Sequence, residues 1–334
     1  MNKTWKKGLS IAGIILFVCL IIFYNSIAPN FSKDNPKGEL FKVILTSLGG
    51  IGVFYGLLLN SKRIRQQTEQ NRISENSNSD KRFSDAIGYF SSDNTTTILG
   101  GVYALYQLAK EDQRYRSIVA NLLCSYLKEK SHTLYPQNLP VFNAPILIQT
   151  IIDVLFDGST FMDEQLDLSN TLLQNVLFKN EVTNCNFSQS RIYDSLFKKR
   201  TSDSNFGGTE ITNCYFCNDT IDCIFIGSKL IETYFDKQID DEKTSIKCNF
   251  DFATFSQCKF SNMNFSQTTF RETNVNSVII SFCKMNDTLF DLASCNDFKF
   301  MGTDIPETTI FTNSNSINLK GNISFDTFVK NKPF

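Results

Sequence analysis

The chain carries a single histidine in 334 residues, His132 in Lys130-Ser131-His132-Thr133. One imidazole cannot build a His-based zinc site. No Cys–His pair is present, no Gly-x-Ser-x-Gly elbow and no phosphate-cradling glycine loop. His132 reads instead as a residue near a helix C-terminus, where the dipole favours it. Carboxylates such as Asp167 and Asp291 are scattered among outward positions, as on a solvated surface. Charge of one sign is missing too. The 33 Lys and Arg nearly balance the 34 Asp and Glu, for a formal net charge of −1. That balance gives no global drive toward nucleic acid. The chain therefore reads as a protein without enzymatic activity, cofactor, metal or nucleic-acid partner, and with no evident small-molecule substrate.

What is present is a five-residue beat. Phe250, Phe255, Phe260, Phe265, Phe270, Val275, Ile280, Met285, Phe290, Cys295, Phe300, Ile305 and Ile310 follow one another at steps of five. Two residues before each sits a mostly small side chain, among them Cys248, Ala253, Cys258, Thr268, Thr273, Cys283 and Thr288. On a helix turning about 100° per residue, steps of five scatter side chains around the cylinder. On a flat strand they alternate between the two faces. One face stays buried only if the backbone turns a corner within every five residues. The chain must wind as a square coil with this ladder pointing inward, each coil burying its apolar side against its neighbours.

This stretch resembles the pentapeptide-repeat family, whose pattern A-(D/N)-L-x-x stands here as Cys248-Asn249-Phe250, Cys258-Lys259-Phe260 and Met263-Asn264-Phe265. The resemblance implies a mainly β fold, a right-handed quadrilateral β-helix with four pentads per coil, its coils stacked about 4.8 Å apart. Phe replaces the usual central Leu, and Cys, Thr or Ser the usual Ala. Met263 and Phe298 are large for inward positions and predict local bulging or a wider coil. Before Phe250 the beat slips. Leu168, Leu173 and Phe178 keep register, as do Phe187, Ile192 and Phe197, then Phe206, Ile211 and Phe216, then Phe225, Leu230 and Phe235, but nine residues separate Phe178 from Phe187. The charged stretch 236–247 reads as an insertion looping off a corner. The solenoid is expected to span 159–334, its end sealed by Phe325, Phe328 and Phe334.

Ten cysteines invite a disulfide reading, but Cys185, Cys214, Cys223, Cys248, Cys258 and Cys283 all stand two residues before a central apolar residue. Those are inward sites, where free Cys acts as a small hydrophobe and a reducing compartment is implied. Cys214-x-x-Cys217 has half-site spacing, yet one side chain should point in and the other out.

Residues 1–60 read as a transmembrane hairpin. The run 9–28 holds no charge and is long enough to span a bilayer; a second span covers about 41–59. Lys3, Lys6 and Lys7 precede the first, and Lys62, Arg63 and Arg65 follow the second. The positive-inside rule places both flanks in the cytoplasm. The rival reading of the first run is a signal peptide cleaved after Ser26-Ile27-Ala28. No acidic or basic residue lies within the runs 9–28 and 43–59, which disfavours transport. Gly52 and Gly56 have the spacing at which transmembrane helices approach closely; they pack the hairpin, pair two protomers, or line a bend.

Residues 61–80 read as a polar linker that extends the second helix until Asn76-Ser77-Asn78-Ser79 breaks it. Residues 81–158 show helical periodicity at Phe83, Ala86, Ile87 and Phe90, at Leu99, Val102, Leu105 and Tyr106, at Val119, Leu122, Leu123 and Tyr126, and at Ile148, Ile151, Ile152 and Leu155. They predict a small α-helical cap on the open first coil. Arg82-Phe83-Ser84-Asp85-Ala86-Ile87, Gly100-Gly101-Val102-Tyr103-Ala104-Leu105 and Pro145-Ile146-Leu147-Ile148-Gln149 resemble segments of membrane-anchored bacterial pentapeptide-repeat proteins.

The architecture implies a bacterial inner-membrane protein with two spans and both termini cytoplasmic. Its partners would be the lipid bilayer and an unknown protein, with homo-oligomerisation left open. The leading functional reading is a non-enzymatic interaction scaffold that presents a cytosolic solenoid. The alternative is a membrane-perturbing effector of stress response or antiphage defence. A third reading follows from family members that imitate B-DNA and bind type II topoisomerases. It needs a dense acidic stripe, and here Lys259, Arg271, Lys284 and Lys299 interrupt the acids.

Overall fold

The computed structural model describes residues 36–135, 143–236, 244–303 and 309–312. The chain divides into two units, up to Asn78 and from Ser79 onward.

In the first unit lies most of a long helix, α1, Pro36–Phe90. Phe41, Val43, Leu45, Leu48, Ile51, Val53, Phe54, Leu57 and Leu58 are all exposed on it. An apolar stretch at its start is long enough to cross a membrane, and none of that stretch is buried in the protein. The expected first span, 9–28, lies outside the described residues. The helix passes without interruption through Gly49, Gly50, Gly52 and Gly56, and through Asn76-Ser77-Asn78-Ser79 as well. The expected break there is corrected. Asn and Ser each cost a helix only tenths of a kcal/mol, about 0.7 at most, and no Gly or Pro stands between Leu57 and Ile87.

In the second unit, α2, Thr95–Glu111, and α3, Arg116–Leu134, pack on the last turns of α1, and α4, Ile146–Leu155, packs on α2 and α3. Asn94 caps α2, its Oδ1 accepting from the amides of Thr96 at 2.8 Å and Thr97 at 3.3 Å, which satisfies donors the helix start leaves free. Val102, Leu105, Val119, Leu123, Leu127, Ile148 and Ile151 make the shared core. Gly101 is where α2 meets α1. A side chain there would lie 3.1 Å from the Ala86 carbonyl and 3.2 Å from the Phe90 amide.

The helices then meet the first coil, whose backbone groups face no earlier coil. An unpaired edge of this kind is a template for aggregation. Side chains close it. Ser131 Oγ accepts from the Leu172 amide at 3.0 Å. The Tyr135 hydroxyl accepts from the Gln174 amide at 2.6 Å and donates to its carbonyl at 3.0 Å. The Gln149 amide does the same for Leu177, at 3.0 and 2.8 Å. Lys128 pairs with Asp167 at 2.6 Å. His132, in the last turn of α3, sits with Nε2 3.1 Å from the Asn170 carbonyl.

The solenoid is a stack of parallel, in-register coils with four columns of short strands. Leu172 pairs with Arg191, and Arg191 with Glu210, each nineteen residues on. Across the insertion Lys229 pairs with Thr254, twenty-five residues on. Beyond it Thr254 pairs with Asn274 and Phe265 with Met285, twenty residues on. The slip read from the sequence is thus a rule. In the early coils the fourth side has four residues, so that Val182, Thr201 and Thr220 occupy one inward column that continues to Ile246 and Phe265.

The corners follow the same division. Most are turned by one residue at positive φ, usually Asn, Asp or Gln: Asn175, Asn184, Asp194, Asp203, Asn213, Gln257 and Asn262 among them. Asn and Asp tolerate this left-handed conformation best after glycine. Asn180, Lys199 and Asn218, at the short corner of the three early coils, are not in it.

Three sequence expectations change here. The insertion is narrower than 236–247. Tyr234–Asp236 and Thr244–Asn249 are strands, and Lys247 pairs with Ile221, which leaves only 237–243, outside the described residues. Met263 and Phe298 do not bulge the coil. Both are buried, and their pairings with Thr244 and Val278 are regular, because the lumen takes the large side chain. The irregularity falls instead between Arg271 and Asn274. Finally, Phe290 pairs with Phe311 and Leu289 with Ile310. This last coil is one residue longer than the beat, so Phe311 rather than Ile310 stands in register with Phe290.

Candidate functional site

The lumen is built first. Phe250, Phe255, Phe260, Phe265, Phe270, Val275, Ile280, Met285, Phe290 and Phe300 are all buried in it. Ile305 lies outside the described residues. Two files of rings run along the axis. Phe178, Phe197, Phe216, Phe235 and Phe260 stack with centroids 4.4, 4.4, 4.7 and 4.8 Å apart. Phe187, Phe206, Phe225, Phe250, Phe270 and Phe290 stack at 4.9, 4.7, 4.8, 5.1 and 4.7 Å. Between files the rings meet edge to face, as Phe225 meets Phe216 and Phe235 at 6.2 Å, the geometry the ring quadrupole favours.

The residues two before each ring have a role the sequence reading missed. They link successive coils. Thr209 Oγ1 donates to the Phe187 carbonyl at 2.7 Å, Thr268 to Ile246 at 3.1 Å, and the Cys248 thiol to Thr220 at 3.2 Å. Ser, Thr and Cys replace Ala here because they are small and can also satisfy a carbonyl inside a dry tube. Eight cysteines, Cys124, Cys185, Cys214, Cys217, Cys223, Cys248, Cys258 and Cys283, are free. Burial pushes the Cys214 thiol up to about 12 and the Cys258 thiol to about 11, and holds Cys185 and Cys248 well above the usual range. Such thiols are poor nucleophiles and metal ligands. Cys214 is buried while Cys217 lies half-buried in a hollow beside Tyr215, Tyr234, Asp236 and Lys259. Among the described residues no group of three His, Cys, Asp or Glu side chains is placed to hold a metal ion.

Function is left to the outside. On one face Lys259, Ile279 and Lys299 stand in register on successive coils, so this face carries no acidic stripe. Leu196, Tyr215 and Tyr234 continue the same column toward the cap, the two tyrosine rings stacked 4.8 Å apart. On a neighbouring face Asn186 donates to Asp167 at 3.1 Å and Asn205 to Asn186 at 3.3 Å, a short amide ladder.

A sizeable cavity lies where the cap meets the first two coils. It holds about 720 Å³ and is lined by Leu155, Phe156, Gly158, Phe161, Met162, Leu166, Asn180, Glu181, Thr183, Asn184, Lys199 and Asp203. One rim is fixed by Asp157. Its Oδ1 accepts from the amides of Ser159 and Thr160 at 2.9 and 2.8 Å; its Oδ2 accepts from their hydroxyls at 2.8 and 2.7 Å and from Tyr106 at 2.9 Å. Burial pushes this carboxyl up, but the Ser159 and Thr160 hydrogen bonds together outweigh it and hold the pKa at about 2. The cavity needs the cap and two coils together, so no single stretch of sequence announces it.

Gly52 and Gly56 lie on α1, and a side chain built on either meets nothing within 4 Å.

A four-sided parallel coil closed by helices defines the class of this protein as a capped β-solenoid. Residues 248–287 match the pentapeptide-repeat family in eight copies. No curated protein sequence matches the chain. Solved structures similar to it include these two. One is QnrB1, a plasmid-mediated fluoroquinolone resistance protein, at 14% identity over 48% of this chain and 78% of that one, with a TM-score of 0.22. The other is HetL, involved in heterocyst differentiation regulation in the cyanobacterium Nostoc, at 10% identity over 46% of this chain and 89% of that one, with a TM-score of 0.23.

Proposed function

We propose that this protein is a non-enzymatic scaffold, held in a bacterial inner membrane through its N-terminal segment and presenting the solenoid to a protein partner in the cytoplasm. The observation that carries this reading is the pairing of a filled lumen with an unburied apolar helix. The tube is packed by its own rings and leaves no channel for a substrate. The apolar start of α1, by contrast, is buried by none of the described residues, and an exposed stretch of that kind marks a membrane or interaction site.

The test is fractionation. Full-length protein should stay with membranes through a carbonate wash, and residues 61–334 should appear in the soluble fraction. Release of the full chain by the wash, or membrane retention of the truncated form, would overturn the anchor. Crosslinking in intact membranes should then capture a discrete partner that the truncated form loses or keeps according to where it binds.

A second reading is favoured by one observation. Gly52 and Gly56 lie open on α1, at the spacing that lets a second helix approach. Clustering through them would make the protein a membrane-perturbing effector of stress response or antiphage defence. Strong expression should then depolarise cells, and Gly56→Leu should abolish the effect; an unchanged membrane potential would sink this reading.

A further inference from the structure

The cleft at the cap junction has the size of a small-molecule site, and its two walls differ in chemistry. The cap supplies apolar side chains, with Phe156 and Phe161 buried at the base and Met162 exposed at the mouth. The first two coils supply charge: Glu181, Lys199 and Asp203 line the other wall. No ion pair among the described residues uses any of these three, and the cleft is lined by residues of both charge signs. The Asp157 hydrogen bonds fix the loop that carries Phe161 and Met162, so the apolar wall is already in place before anything binds.

We infer that this cleft binds an apolar α-amino acid. The side chain would lie against Phe161 and Met162, the carboxylate would face Lys199, and the ammonium would face Glu181 and Asp203. An α-amino acid with an apolar side chain answers the apolar wall and both signs of charge at once. An apolar acid leaves two carboxylates unanswered, and an apolar amine leaves the lysine. The site is independent of the scaffold reading: it needs neither a membrane nor a partner protein.

Equilibrium dialysis with radiolabelled L-phenylalanine against the full-length chain in detergent, with a detergent-only blank, tests this. Saturable retention above the blank is expected, with phenylacetate and phenethylamine competing more weakly than L-leucine. Exposed charges are worth little individually, so Lys199→Met, and Glu181→Gln with Asp203→Asn, should each weaken binding about three- to fivefold. Lys199→Met should leave phenethylamine binding unchanged, which a general loss of fold would not. Met162→Gln should weaken all three probes. All these side chains are exposed, so an unchanged melting profile checks that each variant is folded. No retention by the wild type, equal competition by the singly charged analogues, or binding indifferent to the charge variants would each overturn the inference.

Discussion

The two halves of the solenoid solve one packing problem with different coils. From Leu166 to about Cys223 each coil has nineteen residues and a short fourth side; from Phe250 to Met301 each has twenty and four equal sides. The short side holds Val182, Thr201 and Thr220 inward, where the regular half holds Phe265 and Met285. A smaller coil encloses less, so its fourth column takes β-branched residues while the two phenylalanine files keep their size. The family match stops at 248–287, where the pentad beat is unbroken. A pattern defined by period is blind to coils that drop one residue per turn, even though one stack, from Phe187 to Phe290, runs through both halves.

The sharpest way to test that shared lumen is to remove a ring at its middle. Phe225 is fully buried between Phe206 and Phe250, with Phe216 and Phe235 at its edges. Phe225→Ala should cost about 3–5 kcal/mol, read as a lower denaturation midpoint of the full-length chain. Val275→Ala, in the regular half, removes two methyl groups and should cost much less. Equal losses would mean that the ring files do not carry the stability of the early coils.

The early half is also the half that meets the cap, and acid should separate the two. Asp157 has its pKa held at about 2 in the folded protein, below the usual value for an aspartate. A depressed carboxyl stabilises the fold above its unfolded pKa and loses that contribution as pH falls through its folded one. Asp157→Asn should therefore lower stability at neutral pH by on the order of 1 kcal/mol, after allowance for solvent screening. The difference from the wild type should shrink as pH falls from about 4 to about 2. A constant difference across that window would assign the loss to packing.

How much of this was legible in the chain depended on period. The ladder from Phe250 announces itself because twelve of its steps carry a large apolar residue, and the cap helices because Val102 and Leu105, or Ile148 and Ile151, repeat at helical spacing. The short side did not show, since two of its three inward residues are Thr and a threonine pointing inward looks like any surface threonine. The break expected at Asn76-Ser77-Asn78-Ser79 failed for a related reason. Local preference against helix is weak, and nothing in a propensity argument says that α1 continues to Phe90 to join the cap core. The junction cleft was invisible because Phe161, Glu181 and Asp203 belong to three different turns of the chain.

The short side carries a visible defect. The hydroxyls of Thr201 and Thr220 are buried there without a hydrogen-bond partner; among the described residues of the regular half Thr269 is the one such case. An unsatisfied buried hydroxyl is destabilising, and replacing it with a methyl group of the same shape removes the penalty. Thr201→Val and Thr220→Val should each raise stability by about 1 kcal/mol, whereas Thr268→Val, which loses a bond to the Ile246 carbonyl, should lower it. Stabilisation by all three would show that hydroxyls in the lumen link nothing.

The smallest effect sharpens the comparison most, because one substitution should change sign between the two kinds of corner. Phe252 turns an ordinary corner at φ 60°, with its ring 54% exposed. A bulky residue is strained in the left-handed region, at a cost of about 1–2 kcal/mol, and glycine is not. Lys199 turns the short corner without positive φ, so glycine there adds only freedom to the unfolded chain, at about 0.5–1 kcal/mol. Phe252→Gly should therefore stabilise the protein by several tenths of a kcal/mol, the strain relieved less the entropy added, and Lys199→Gly should destabilise it by a similar amount. Both side chains are exposed, so lost packing contributes little to either change. If the two substitutions move the melting midpoint in the same direction, the corners are not of two kinds, and the nineteen-residue coil must lose its residue somewhere other than between Phe197 and Thr201.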